Sequence, residues 1–189
     1  MQNDKKRLLE LLQKSPVFST FFKLSDRLQV PNWYVAGGCV TQTIWNFLTN
    51  REAMHGLKDV DLVYFDANAN KEKEAVYKQE TLQVLQEVPL PIDLQNEATV
   101  HTWYQQKFGD KIEPYRSVED GINTWLPAFA VGVRKEGEHY QVYSPYGLDD
   151  TLSLVVRPNR KQITKSIYEN MCRRLVKDWP EITIIPWST

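Results

Sequence analysis

Lys58-Asp59-Val60-Asp61-Leu62-Val63-Tyr64-Phe65 is the stretch on which the reading of this chain turns. The residues after Asp61 are apolar, β-branched or aromatic, which predicts a buried strand. Side chains two apart on a strand share a face. Asp59 and Asp61 are therefore expected to project side by side from the start of that strand. Like charges held so close repel, and burial sharpens the repulsion. A divalent cation is the usual compensation. Mg²⁺ takes oxygen ligands and is often held by one or two carboxylates plus substrate phosphates. Taken alone, the pair also fits a polar strand start with two solvated aspartates.

On the N-terminal side, Trp33-Tyr34-Val35-Ala36 reads as a short strand and Gly37-Gly38 as a tight turn. Val40 to Leu48 reads as a helix burying Val40, Ile44, Phe47 and Leu48. Further upstream, Leu8, Leu9, Leu11 and Leu12 predict an amphipathic first helix ended by Ser15-Pro16. A second helix is expected over Thr20 to Leu28.

On the C-terminal side, Lys71 to Glu87 is rich in helix formers, with Ala75, Leu82 and Leu85 expected inward. Leu90-Pro91-Ile92-Asp93-Leu94 reads as a short strand and Asn96 to Phe108 as a helix. Ser117-Val118-Glu119-Asp120 has the form of a capping box, opening a helix to about Leu126. Ala128 to Arg134 and His139 to Ser144, joined through Glu136-Gly137, predict a β-hairpin. Residues 145–160 read as loop with one short strand, and Lys161 to Trp179 as the last helix, stopped by Pro180. The expectation is an α+β domain, a mixed sheet flanked by helices.

The length of 189 residues fits a single domain, 1–189. Its core is placed at about 30–110, and a helix, hairpin and C-terminal helix over 111–189 are appended. Apolar residues make up 42%, enough for a real core, and the net charge of −1 predicts no bulk affinity for nucleic acid or anionic membrane. Arg157, Arg160, Lys161, Lys165, Arg173, Arg174 and Lys177 nonetheless stand against the single acid Glu169. That stretch reads as a phosphate-facing surface or as a solvated helix face. Cys39 and Cys172 suggest neither a disulfide framework nor a metal site. No secretory signal and no membrane-length apolar run is present, so a cytoplasmic monomer is expected.

Three features align. Gly37-Gly38 joins a strand to a helix, where the backbone can approach a ligand and a helix N-terminus attracts phosphate. Most Gly-Gly turns are merely turns, so this signal gains weight only from its neighbours. The Asp59/Asp61 pair follows on the next strand, and Asp93 lies on the strand after the next helix. Three carboxylates beside a glycine turn suit two metal ions that align a triphosphate with an attacking hydroxyl.

Ala36-Gly37-Gly38, a helix and then Lys58-Asp59-Val60-Asp61 resemble the head domain of polymerase β-like nucleotidyltransferases, especially CCA-adding enzymes and poly(A) polymerases. More narrowly, the chain is similar to a bacterial family of stand-alone chains of about this size assigned as nucleotidyltransferases. The matching pieces are Gly37 to Asn46, Asp59 to Asp66, Asn96 to His101, Pro114 to Asp120, Ala130 to Val133 and Pro145 to Asp150. The resemblance implies a Mg²⁺-dependent transfer of NMP from an NTP to an unknown acceptor: a small molecule, a protein or an RNA end. It implies two metal ions held by Asp59, Asp61 and Asp93, and a triphosphate held by Gly37 and Gly38. Asp93 would be a general base or a ligand of the second metal. CCA-adding enzymes carry Arg-Asp shortly after the glycines, whereas this chain has Thr41-Gln42, so Thr41 or Arg116 is the expected substitute for phosphate contact. The RNA-binding domains that follow the head in those enzymes have no room here. The resemblance therefore implies the head's chemistry, not CCA addition.

Asn96 and His101, just beyond Asp93, read as groups that orient a base, a ribose or a metal-bound water, or as a helix cap and a surface histidine. Arg116 reads as a phosphate ligand or a structural ion pair. Cys39, Trp33, Trp45, Trp103 and Trp125 are expected in the core, and Trp187 exposed. The alternative function is a catalytically silent module of the same fold that binds a nucleotide or a protein. A metal-dependent nuclease or phosphatase built on the same carboxylates is disfavoured, because the glycine turn suits a triphosphate.

Overall fold

A leucine-rich helix opens the chain. In the computed structural model, which describes residues 2–188, α1 (Gln2–Lys14) buries Leu8 and Leu12 completely. The second helix, α2 (Pro16–Leu24), begins earlier than its apolar spacing predicts. Pro16 supplies the fixed φ of a first helical position, so it ends one helix and starts the next. Val17, Phe18, Phe21 and Phe22 of α2 pack into the core.

Next come β1 (Tyr34–Ala36), α3 (Gly38–Leu48), β2 (Val60–Tyr64), α4 (Lys71–Val84) and β3 (Ile92–Asn96). A short 3₁₀ turn over Glu97–Thr99 precedes α5 (Val100–Phe108), so the expected helix at Asn96 starts as a tighter turn. The one-turn helix α6 (Val118–Ile122) is capped by Ser117, whose hydroxyl accepts the Asp120 N–H at 3.3 Å. Asp120 reaches back to the Arg116 N–H at 2.9 Å, a variant of the expected capping box. The hairpin β4 (Gly132–Glu136) and β5 (His139–Tyr143) follows, but its first strand starts only at Gly132, because the Phe129 and Ala130 N–H groups bond back to the Leu126 carbonyl in a turn. The chain ends with α7 (Asp149–Leu152), β6 (Val155–Val156), α8 (Lys165–Asp178) and β7 (Thr183–Ile184).

The main sheet has five strands in the order β3-β2-β1-β4-β5. β1 runs antiparallel to both β2 and β4, while β2 and β3 are parallel. A parallel pair needs a crossover connection, and α4 provides it. The hairpin completes the sheet that carries the acidic strands. One face of the sheet, with Val35, Leu62, Tyr64 and Val133, packs against α1, α2 and α3. Each fully buried large apolar side chain there contributes roughly 1.5–3 kcal/mol. On the opposite face, Tyr34, Ala36 and Val63 lie under Val118 and Ile122 of α6. A third cluster joins Trp45 of α3 to Trp179 just beyond α8, with their rings edge-on. No helix among the described residues is long and apolar enough to cross a membrane.

Several side chains face other ways than expected. Leu85 is buried, but Leu82 is 42% exposed and Ala75 is also exposed. The inward face of α4 runs through Tyr77, Thr81 and Val84 instead. Trp103 and Trp125 are half-buried rather than core. Trp187 is half-buried rather than exposed, its ring leaning on Tyr168 with centroids 5.7 Å apart. The basic stretch does not gather into one patch: Arg157 pairs with Asp150, Lys161 lies over the Tyr146 ring, and Arg173 and Arg174 stand on the exposed side of α8.

Candidate active site at the glycine turn

Asp61 and Asp93 are register partners on β2 and β3. Partners on parallel strands point to the same face, and Asp59, two residues before Asp61, shares it. Val60 between them is tied at 2.8 Å to the carbonyl of Pro91, which fixes this register at the strand entrance. The sequence therefore brings all three predicted carboxylates to one end of one sheet face.

Next to them β1 ends in the glycine turn. Gly37 has φ +73°, the left-handed region that favours glycine, and its N–H donates to the Val131 carbonyl at 3.1 Å. A Cβ placed on Gly37 would sit 3.5 Å from Asp61 Oδ2 and only 3.2 Å from Trp125 Cζ3. A Cβ on Gly38 would sit 3.6 Å from the same oxygen and 3.8 Å from Gln42 Nε2. The turn is thus packed between an aspartate and an indole.

Burial is the main cause that raises the Asp61 pKa, to about 7, and the charges of Asp59 and Asp93 raise it further. The backbone amides of Cys39 and Gly38, at the start of α3, pull it back down. Among the described residues no Lys, Arg or His forms an ion pair with Asp59, Asp61 or Asp93. An anionic cluster without a protein counter-charge, made only of hard oxygen donors, suits a divalent cation such as Mg²⁺. The donors are not drawn into a closed group: no three His, Cys, Asp or Glu side chains among the described residues are grouped as a ready metal site. Asp93 is exposed and Asp59 half-exposed, while Asp61 is the desolvated member of the three.

The other expected site residues are placed elsewhere. Thr41 is fully buried, and its hydroxyl donates to the Ala128 carbonyl at 2.7 Å. Gln42, one helical turn after Gly38, is the side chain that faces the turn. Asn96 is buried and spent on structure. Its Oδ1 accepts the Asp66 and Ala98 N–H groups, and its Nδ2 donates to the Asp66 carbonyl and to Glu74 Oε1 at 2.8 Å. His101 is half-buried, with Nδ1 buried and unpartnered. Arg116 is exposed at the opposite end of α6 and does not join the carboxylates. Cys39 is core, as expected, with Sγ 3.2 Å from the Ala36 carbonyl and burial holding its thiol pKa high.

Two residues of the site escaped the sequence reading. Gln42 was legible from its i+4 spacing to Gly38. Trp125 is set against Gly37 only by the position of α6 over the sheet. A further acid, Glu97, lies on the same sheet face beyond Asp93. Burial raises its pKa to about 8, and a Cβ on Gly121 of α6 would fall 2.0 Å from its Oε2.

A family model described as nucleotidyltransferase matches residues 23–184. A solved structure, described as an NMR structure that reveals a CCA-adding enzyme head domain, is similar with a TM-score of 0.74. That likeness covers 96% of this chain and 95% of the other at 23% identity, and it speaks to the fold. No curated protein matches. The chain belongs to the nucleotidyltransferase family.

Proposed function

We propose that this chain transfers an NMP group from an NTP to an acceptor hydroxyl, with Mg²⁺ held by Asp59, Asp61 and Asp93. The observation that carries this reading is the Asp61–Asp93 register pair beside the Gly37 turn, with Asp59 on the same face and no cation among the described residues paired to the three. Bound Mg²⁺ would supply charge neutralisation at the phosphates and a less basic attacking oxygen. The chain's own part is positioning and electrostatics. Gly37 and Gly38 let a triphosphate approach the backbone, and the amides at the start of α3 offer donors to an anion. Gln42 adds a neutral hydrogen-bonding group where CCA-adding enzymes have a charged one. Trp125 walls the turn and limits water there.

The acceptor is a small molecule, a protein or an RNA end. Incubation with each NTP and candidate acceptors, read as pyrophosphate release, tests the transfer. Release of inorganic phosphate alone would point to hydrolysis instead.

A second reading, a silent module that binds nucleotide without turnover, draws support from the open arrangement of the three carboxylates. It predicts nucleotide binding that survives Asp93→Ala with no pyrophosphate released.

A further inference from the structure

Arg116 belongs to a second concavity on the same sheet face. Asn32, Tyr34, Arg116, Glu119, Arg134 and Gln141 line a cavity of about 450 Å³. That volume lies within the range of small-molecule sites, roughly 300–1,000 Å³. Phe65, also on its wall, is four residues beyond Asp61 along β2 and its continuation. At a strand rise of about 3.3 Å per residue, the two places are about 13 Å apart. Val118 and Ile122 of α6 pack onto Tyr34 and Val63 on this face. The cavity is therefore not an extension of the carboxylate end.

Its groups are those of an anion site. Arg116 is exposed, and its guanidinium makes no ion pair among the described residues. Arg134 is mostly buried, with its guanidinium 5.9 Å from the centre of the Tyr34 ring. It pairs at its outer edge with Glu136, a residue 65% exposed, whose charge solvent screens. Its Nε–H is buried and has no partner. A buried unsatisfied donor carries a desolvation cost that an entering acceptor relieves. Glu119 is the acid on the wall, and its Oε1 is engaged by the Tyr34 hydroxyl at 3.1 Å. The side-chain amides of Asn32 and Gln141 make no hydrogen bonds among the described residues, so directional neutral groups stand ready beside the two arginines.

We propose that this cavity is a second ligand site, which takes a small polar molecule through an oxyanion, a carboxylate or a phosphate, clamped by Arg116 and Arg134. Arginine suits this role because its fork matches both oxyanions. The proposal does not depend on the carboxylate end having any activity, since none of its residues lies there.

The test is a ¹H–¹⁵N NMR titration of the full chain, following backbone amides and arginine Nε–H signals, with inorganic phosphate and, separately, succinate. A saturable shift centred on Arg134 Nε–H and the Arg116 and Ser117 amides is expected with at least one anion. Response to phosphate alone assigns a phosphorylated ligand, and response to succinate alone a carboxylate ligand. Arg116→Gln, an exposed change that spares the fold, should weaken the response about tenfold. Asp61→Ala should leave it unchanged. Non-saturating shifts with both anions would overturn the proposal, as would binding as tight as that of the wild type by both Arg116→Gln and Arg134→Lys.

Discussion

Asp61 and Asp93 face each other across parallel strands, and the Asp61 carboxylate also lies against the amides that begin α3. One side chain thus stands at the meeting point of the two elements proposed to hold metal and phosphate. Its burial among like charges costs stability, and this cost gives the first prediction. Asp61→Asn removes the charge but keeps the shape. The metal-free protein should gain roughly 1–3 kcal/mol, read as a higher denaturation midpoint. The same variant should lose any stabilisation by Mg²⁺. A wild-type-like midpoint would mean that Asp61 is well solvated.

Glu97 gives a pH dependence with a definite sign. Burial raises its pKa from 4.5 to about 8 in the folded chain, so the folded protein keeps the proton after the unfolded chain has lost it. Its contribution is fully present below pH 4.5 and is lost as pH rises through about 8. Glu97→Gln should therefore resemble wild type at pH 4.5 and be more stable at pH 8, by about 3–5 kcal/mol. Urea unfolding of both proteins across this range measures the difference. A constant difference would show that Glu97 is not held protonated by the fold.

Thr41 and Asn96 are structural. Thr41→Val removes a donor from the Ala128 carbonyl, which still accepts from Thr151 at 2.8 Å. It should cost about 1 kcal/mol. Asn96→Ala breaks the links among Asp66, Ala98 and Glu74, and should cost roughly 2–4 kcal/mol. Neither should change nucleotide affinity at a temperature where the variant is folded. A selective loss of affinity in Thr41→Val would restore it to the site.

Gly37→Ala meets both a positive φ and the Trp125 ring at 3.2 Å. It should lower stability by about 1–3 kcal/mol and weaken nucleotide binding. Adding Trp125→Ala relieves the contact but not the φ, so only part of the loss should return. Full recovery in the double variant would mean that crowding alone excludes a side chain there. Equilibrium unfolding and calorimetry read the two effects.

The parts of this molecule legible in the sequence were local ones. The Asp59-Val60-Asp61 strand, the Gly37 turn, the Ser117 cap and the Glu136-Gly137 hairpin each follow from two-residue alternation or from turn and cap chemistry within a few residues. Asp93 was legible as an acid on the strand after α4, but its place opposite Asp61 was not: β2 and β3 pair parallel across a helix, whereas β1 and β2, also joined by a helix, pair antiparallel. Side-chain roles set by distant segments were not legible either. Thr41 turns inward because Ala128, far along the chain, supplies its acceptor. Asn96 is consumed by Asp66 and Glu74, and Trp125 is set against Gly37 by the docking of α6. Leu82 misled because α4 rests on the sheet through Tyr77, Thr81 and Val84, and its apolar residues do not define a single stripe.

Calorimetric titration of an NTP into the wild-type chain, with and without Mg²⁺, and into Asp61→Ala tests the central claim most directly. Mg²⁺-dependent binding by the wild type, lost in a folded Asp61→Ala protein, is the predicted result. No NTP binding by the wild type in the presence of Mg²⁺, or equal binding by the variant, would contradict the assignment of these carboxylates to a metal–nucleotide site.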